Sequence, residues 1–147
     1  MRAVVTRVSS ASVEIDGAVT GDIDAGFLVL LGIKDGDTDA DVIKLAAKVC
    51  NLRVFSDDNG KMNLDLEAVC GSLLVISQFT LFADCKSRRP GFSAAARPDV
   101  AIPLYELFIE HCKTAGFKVE TGDFGAMMDV SSVNAGPVTI LLDTEKM

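Results

Sequence analysis

Tryptophan is absent from this sequence, tyrosine and histidine occur once each, and proline occurs four times. A single histidine excludes the common zinc sites, which need two or more His or a Cys cluster at short spacing. The four cysteines, Cys50, Cys70, Cys85 and Cys112, form no C-x-x-C pair, so a redox-active or metal-binding dithiol motif is missing as well. No apolar run is long enough to cross a bilayer; the longest, Gly26 to Ile33, suits a buried strand. Positive charge is scarce, with 14 Lys and Arg against 21 Asp and Glu for a net charge of −7. That excludes a protein whose whole surface grips nucleic acid, because such binding draws on many contacts from cations to phosphate. The nucleophile elbow G-x-S-x-G and the phosphate-cradling G-x-x-x-x-G-K-[ST] loop are also missing. Met1 to Thr6 lacks the apolar core of a secretory signal, and with four reduced thiols this predicts a cytoplasmic protein without a membrane anchor.

What is present is ordinary globular composition, 49% apolar and 24% charged over 147 residues. A chain of this length buries about two-thirds of its unfolded surface, so one domain, 1–147, needs no disulfide or metal staple. Residues 2 to 15 alternate and are rich in Val, Thr and Ser, which predicts a strand, and Asp16-Gly17 is a hairpin signal. Gly26 to Ile33 is apolar on both faces, as a central strand is. From Asp39 the positions Val42, Leu45, Ala46 and Val49 follow helical spacing. A strand over Leu52 to Phe55 and a turn over Ser56 to Gly60 come next. That turn resembles the start of a calcium loop, but no Glu stands at the closing position.

Gly71 to Phe82 is apolar and β-prone. Cys85 to Pro98 is irregular and carries Lys86, Arg88, Arg89 and Arg97, which marks a functional or mobile loop. A helix is predicted from Asp99 to Ala115, with Pro103 in its first turn or at a kink, and it includes the lone His111 as a structural residue. Phe117 to Asp143 reads as strands broken at Gly122, Gly125 and Gly136-Pro137. Two helices among many strands predict an α+β fold with a mostly antiparallel or mixed sheet.

Two segments are chemically unusual. In Ser77-Gln78-Phe79-Thr80-Leu81-Phe82-Ala83-Asp84, polar side chains gather where a buried strand should end. Such groups need partners, so the run is either strand-end capping or a rim that offers N–H and hydroxyl groups to a ligand. In Val133-Asn134-Ala135-Gly136-Pro137-Val138, Gly-Pro precedes an apolar strand and is either an ordinary turn or a rigid dipeptide aimed at something.

These two segments belong to an ordered set of strings. It runs through Met1 to Val5, Arg7 to Val13, Gly26 to Ile33, Asn51 to Phe55, Gly60 to Asn63, Ser77 to Leu81, Phe124 to Met128 and Asn134 to Thr139. Each string alone is weak, but in this order they resemble the D-aminoacyl-tRNA deacylases over nearly the whole chain. The resemblance implies a barrel-like α+β homodimer with active sites at the interface; the sequence itself points to no cofactor or metal. It implies hydrolysis of the ester between tRNA and a D-amino acid, or mischarged glycine. Site residues carried over are Ser77, Gln78, Phe79 and Thr80 on one side, with Phe79 and Thr80 lending main-chain N–H groups. Met128 and Gly136-Pro137 stand on the other, the dipeptide held cis and reaching from the partner to exclude L side chains. No general base is visible beside Thr80, so backbone donors and the tRNA ribose hydroxyl are expected to assist instead. Lys86, Arg88, Arg89 and Arg97 are expected to meet tRNA phosphates. Departures from the family pattern are Phe82 for Tyr, Ala135 for Asp or Glu, and the wording of Pro90 to Ser93. Two competing readings stay open: a non-catalytic nucleic-acid-binding dimer of the same fold, and a relative that edits mischarged L-threonine.

Overall fold

The computed structural model describes residues 1–147. The alternating stretch at the amino terminus forms one long strand, β1 (Arg2–Ile15), with Ala3, Val5, Val8, Ala11 and Val13 buried. It is too long for a single neighbour on one edge. Its first half pairs antiparallel with β3 (Gly26–Gly32), from Arg2↔Gly32 to Val8↔Gly26. Its second half pairs with β2 (Ala18–Ile23) across the hairpin. The other edge of β1 is occupied along its length by β8 (Asp129–Asp143), from Arg2↔Asp143 to Glu14↔Asp129. On the far side of β3 lie β6 (Ser72–Ser77) and then β7 (Val119–Thr121), both parallel. Strand β2 packs on β7, so the mixed sheet nearly closes into a barrel.

The predicted strand at 52–55 is instead a small hairpin of β4 (Phe55–Ser56) and β5 (Met62–Leu64). The Asp57 carboxylate accepts the N–H groups of Asn59 and Lys61 at 2.9 and 3.0 Å, which builds the turn from its own side chain.

Helices α1 (Asp39–Cys50) and α2 (Pro98–Thr114) cross between the parallel strands and pack together on one face of the sheet. Helix α1 begins with the Thr38 N–H donating to the Asp41 carboxylate at 2.9 Å. Pro98 opens α2, while Pro103 is its sixth residue, past the first turn. The residues concerned, Asp99 and Pro103, both face solvent, so the carbonyl that loses its donor is open to water and the helix continues through the proline. Phe27, Val29, Leu31, Leu73 and Val75 meet Leu45, Leu104 and Phe108 in the main core. A smaller cluster of Val8, Val13, Leu28, Leu74 and Ile76 fills the opposite face. All four cysteines are free, and Cys50 and Cys112 face each other between the helices with their sulfurs 3.7 Å apart. No helix is long and apolar enough to cross a membrane.

Candidate active site

Strand β6 comes out of the core at Ser77, and the N–H of Gln78 donates to the Leu31 carbonyl at 2.8 Å. That is the last bond to β3, which ends one residue later. With no ladder left to follow, Phe79–Phe82 close into a 3-10 turn rather than extending the strand to Phe82 as its apolar composition predicts. Gly32 makes room for this. A Cβ there would lie 2.9 Å from the Leu81 Cβ and 3.0 Å from the Gln78 carbonyl oxygen. As the first two residues of the turn, Phe79 and Thr80 present N–H groups that no carbonyl of the turn can accept. The Thr80 hydroxyl accepts a hydrogen bond from Gln78 Nε2 at 2.5 Å. No His, Asp or Glu bonds to it.

Beside the turn is a largely apolar cleft of about 310 Å³. Leu31, Ile76, Ser77, Gln78 and Phe79 form one wall, and Phe124 to Met128 with Val130 form the other. Phe124 is held from behind by Tyr105, whose ring meets it edge-on at 5.8 Å. The Tyr105 hydroxyl donates to the Val75 carbonyl at 2.8 Å, tying α2 to β6. Burial, with a smaller effect from Asp123, pushes this phenol well above its ordinary pKa, so it stays a neutral donor. Two large apolar side chains at the cleft are left in solvent: Phe79 is 54% exposed and Met127 is 92% exposed.

The second signature motif lies elsewhere on the chain. Strand β8 is not broken at Gly136-Pro137; it runs on to Asp143 because β1 pairs with it on both sides of the dipeptide. Thr6 faces Thr139 and Val8 faces Asn134, so residues 135 to 138 bulge opposite Arg7 alone. The Arg7 guanidinium donates to the carbonyls of Ala135 at 2.9 Å and Val54 at 2.5 Å. The Gly136-Pro137 peptide is cis, and Gly136 has φ +129°. A Cβ at Gly136 would fall 2.9 Å from the Val138 backbone nitrogen, which cannot step aside, so glycine is required twice over. Both residues of the dipeptide are exposed and neither lines its own chain's cleft.

Thus Ser77, Gln78, Phe79 and Met128 share the cleft, with Thr80 at its rim, while Gly136 and Pro137 stand apart from it. Lys86, Arg88 and Arg89 lie exposed on a loop closed by paired bonds between Asp84 and Gly91, at 2.8 and 2.9 Å. The loop is pinned to the cleft by Phe92, whose ring packs edge-on against Phe79 at 5.0 Å. Lys86 is 3.8 Å from Asp84 and Arg97, at the start of α2, is 3.7 Å from Asp99; Arg88 and Arg89 have no acidic partner. His111 does not line the cleft.

The sequence reading gave Arg7 and Tyr105 no role. For Arg7 a signal exists: it follows Ala3 and Val5 on the core-facing side of β1, where a cation needs a reason. Tyr105 carries none, since a lone phenol among the apolar residues of a helix looks like core.

The sequence profile described as D-Tyr-tRNA(Tyr) deacylase matches residues 4–143. A D-aminoacyl-tRNA deacylase of Thermosipho africanus is 55% identical over 148 residues, covering 100% of this chain and 99% of its own. Among solved structures, the c-Myc DNA Unwinding Element Binding Protein superposes with a TM-score of 0.92 at 37% identity, covering 97% of this chain and 98% of its own. A probable eukaryotic D-amino acid tRNA deacylase, 17% identical, has the same fold at a TM-score of 0.81 with 96% and 97% covered. With a turn, a cleft and a bulge built from the matched strings, this chain belongs to the D-Tyr-tRNA(Tyr) deacylase family.

Proposed function

We propose that this protein is a cytoplasmic homodimer that hydrolyses the ester joining a D-amino acid, or mischarged glycine, to the terminal adenosine of tRNA. The observation that carries the proposal is the pair of N–H groups at Phe79 and Thr80 that no carbonyl of the turn accepts, beside an apolar cleft and with no base bonded to the Thr80 hydroxyl. Two such donors suit the oxygen of an ester carbonyl as negative charge develops on it. The attacking water gives its oxygen to the carbonyl carbon, and the ribose oxygen leaves with a proton. The neighbouring ribose hydroxyl assists that transfer, so no protein side chain attacks. Aminoacyl esters are labile, and positioning supplies most of what is needed.

Gly136 and Pro137 take their place in the partner's cleft, opposite Met128, where their carbonyls crowd the substrate's chiral carbon. An L side chain meets them, a D side chain points away, and glycine passes. A backbone wall discriminates by clash, which apolar contact in a small pocket does not achieve. The dipeptide's distance from its own cleft and the exposed Val130, Val133 and Leu141 along β8 support a second copy on that edge. Lys86, Arg88, Arg89 and Arg97 contact tRNA phosphates, making affinity salt-sensitive.

A second reading, a non-catalytic nucleic-acid binder, draws on the unpaired Arg88 and Arg89 and on the name of the DNA-unwinding-element relative. Deacylation of matched D-Tyr-tRNA and L-Tyr-tRNA decides. Loss of the D ester with the L ester spared is expected. Binding without cleavage of either would favour the second reading, and cleavage of both would remove the chiral wall. Thr80→Ala should keep substantial activity; complete loss with an intact fold would make the hydroxyl a nucleophile.

A further inference from the structure

Arg2 is the second residue of β1, and it reaches in three directions. Its Nε donates to Asp143 Oδ2 at 2.9 Å. Its Nη1 donates to the Leu81 carbonyl at 2.9 Å. Its guanidinium carbon lies 4.6 Å from the centroid of the Phe82 ring. A planar guanidinium can serve a carboxylate, a carbonyl and an aromatic face at once, which an ammonium cannot. The anchor is itself fixed: Asp143 is 8% exposed at its side chain and also accepts the Glu145 N–H at 3.1 Å.

We propose that Arg2 is a positioning residue for the reaction, clamping the exit of the Phe79–Phe82 turn so that the Phe79 and Thr80 N–H groups keep one orientation over the cleft. The turn's entry is held by the Gln78 bond to Leu31. At its exit the Phe82 ring is buried, and the hydrogen bonds on the carbonyls of the turn's residues there are the internal one from Ala83 N–H to Thr80 O, at 3.1 Å, and that from Arg2 to Leu81 O. No other side chain donates to a carbonyl of the turn. Without Arg2 the last two residues lose a donor on one and a cation over the ring of the other, and the turn can pivot about Gln78. Arg2 is 34% exposed at its side chain and outside both core clusters, so its removal leaves the packing of the sheet in place.

The inference rests on the proposal that these N–H groups act on the ester carbonyl, and its test has two independent arms. Arg2→Met keeps the length of the stem and removes the donors; Arg2→Lys restores the charge without the fork. Steady-state deacylation of D-Tyr-tRNA should show kcat about tenfold lower in Arg2→Met with KM nearly unchanged, the mark of an interaction realised in the transition state. Arg2→Lys should recover part of it. Amide hydrogen exchange in the peptide spanning 78–83 should speed up in Arg2→Met while β1 and β3 stay protected. Wild-type kcat in Arg2→Met, unchanged exchange at 78–83, or faster exchange across the whole sheet would each overturn the assignment. An inactive wild-type protein would instead defeat the proposed function, and the exchange arm would still judge Arg2.

Discussion

The turn at 79–82 and the bulge at 135–138 both interrupt the same sheet, but they are held in different ways. The turn is fastened from within its own fold: β3 below it, Gly32 beneath Leu81, Arg2 and the Phe82 ring at its exit. The bulge is held from behind, by the β1 pairing at its ends, Val138 against the core and the Arg7 guanidinium, with its dipeptide in solvent. A feature braced on every side can work where it stands. A feature braced from behind and open in front presents itself to something else. The contrast supports the proposed function, in which the turn serves its own cleft and the bulge serves a second copy's.

Gly32→Ala should have the largest effect on this contrast. The new methyl would press on the Gln78 carbonyl, which is backbone and cannot step aside. A loss of about 2–3 kcal/mol in denaturant stability is expected, and kcat should fall by more than the lost stability explains. Wild-type kcat in a folded Gly32→Ala protein would show that the turn tolerates displacement.

Arg7→Met comes next and acts on the bulge and on the segment at Val54 that shares its guanidinium. Two carbonyls lose their donor, at a cost of about 1–2 kcal/mol. The ratio of D- to L-ester cleavage should drop while the cleft residues keep their positions. An unchanged ratio would mean that the bulge holds its shape without Arg7. Tyr105→Phe is smaller again: the Val75 carbonyl loses one donor, for about 1 kcal/mol in a thermal or denaturant melt, and Phe124 keeps its packing.

The smallest effect concerns acid. Burial works to raise the Asp143 carboxyl, but the hydrogen bonds from Arg2 and the Glu145 N–H outweigh it and hold the pKa below the ordinary carboxylate value. The contribution to stability is therefore complete above the unfolded value of about 3.9 and is lost as pH falls through the lower folded one. The melting temperatures of wild type and Asp143→Asn should differ at neutral pH and converge in acid. A gap that persists in acid would remove Asp143 from the clamp.

The elements most legible in the sequence are β1, by its alternation, β3, by an apolar run buried on both faces, and the two helices, by their 3.6-residue spacing. The end of β6 was not legible, because Phe79, Leu81 and Phe82 suit a strand by composition. What ends the strand is the length of β3, a fact about a partner and not about these residues. Continuity of β8 through Gly136-Pro137 was hidden for the same reason, since a bulge depends on pairing with β1. In the cleft, the Ser77–Phe79 run is conspicuous because polar side chains gather at a strand end, whereas Met128 carries no such signal and enters only through the family resemblance. The supports behind them, Tyr105 and Arg2, look like core and surface until their hydrogen bonds are seen.

The pairing of β1 with β8 also sets an order of events during synthesis. Arg2 and Asp143 are 141 residues apart in the chain, yet they share a hydrogen bond. Strand β1 leaves the ribosome early, and one entire edge of it then waits, unpaired, for the last strand to appear. Sheets closed by such distant partners form slowly, and waiting edges invite pairing with other chains. Both Arg2's hold on the turn and the bulge at Gly136 depend on β8 being in place. The nascent chain therefore completes Arg2's anchor at Asp143 and the bulge that carries the dipeptide in the same closing step.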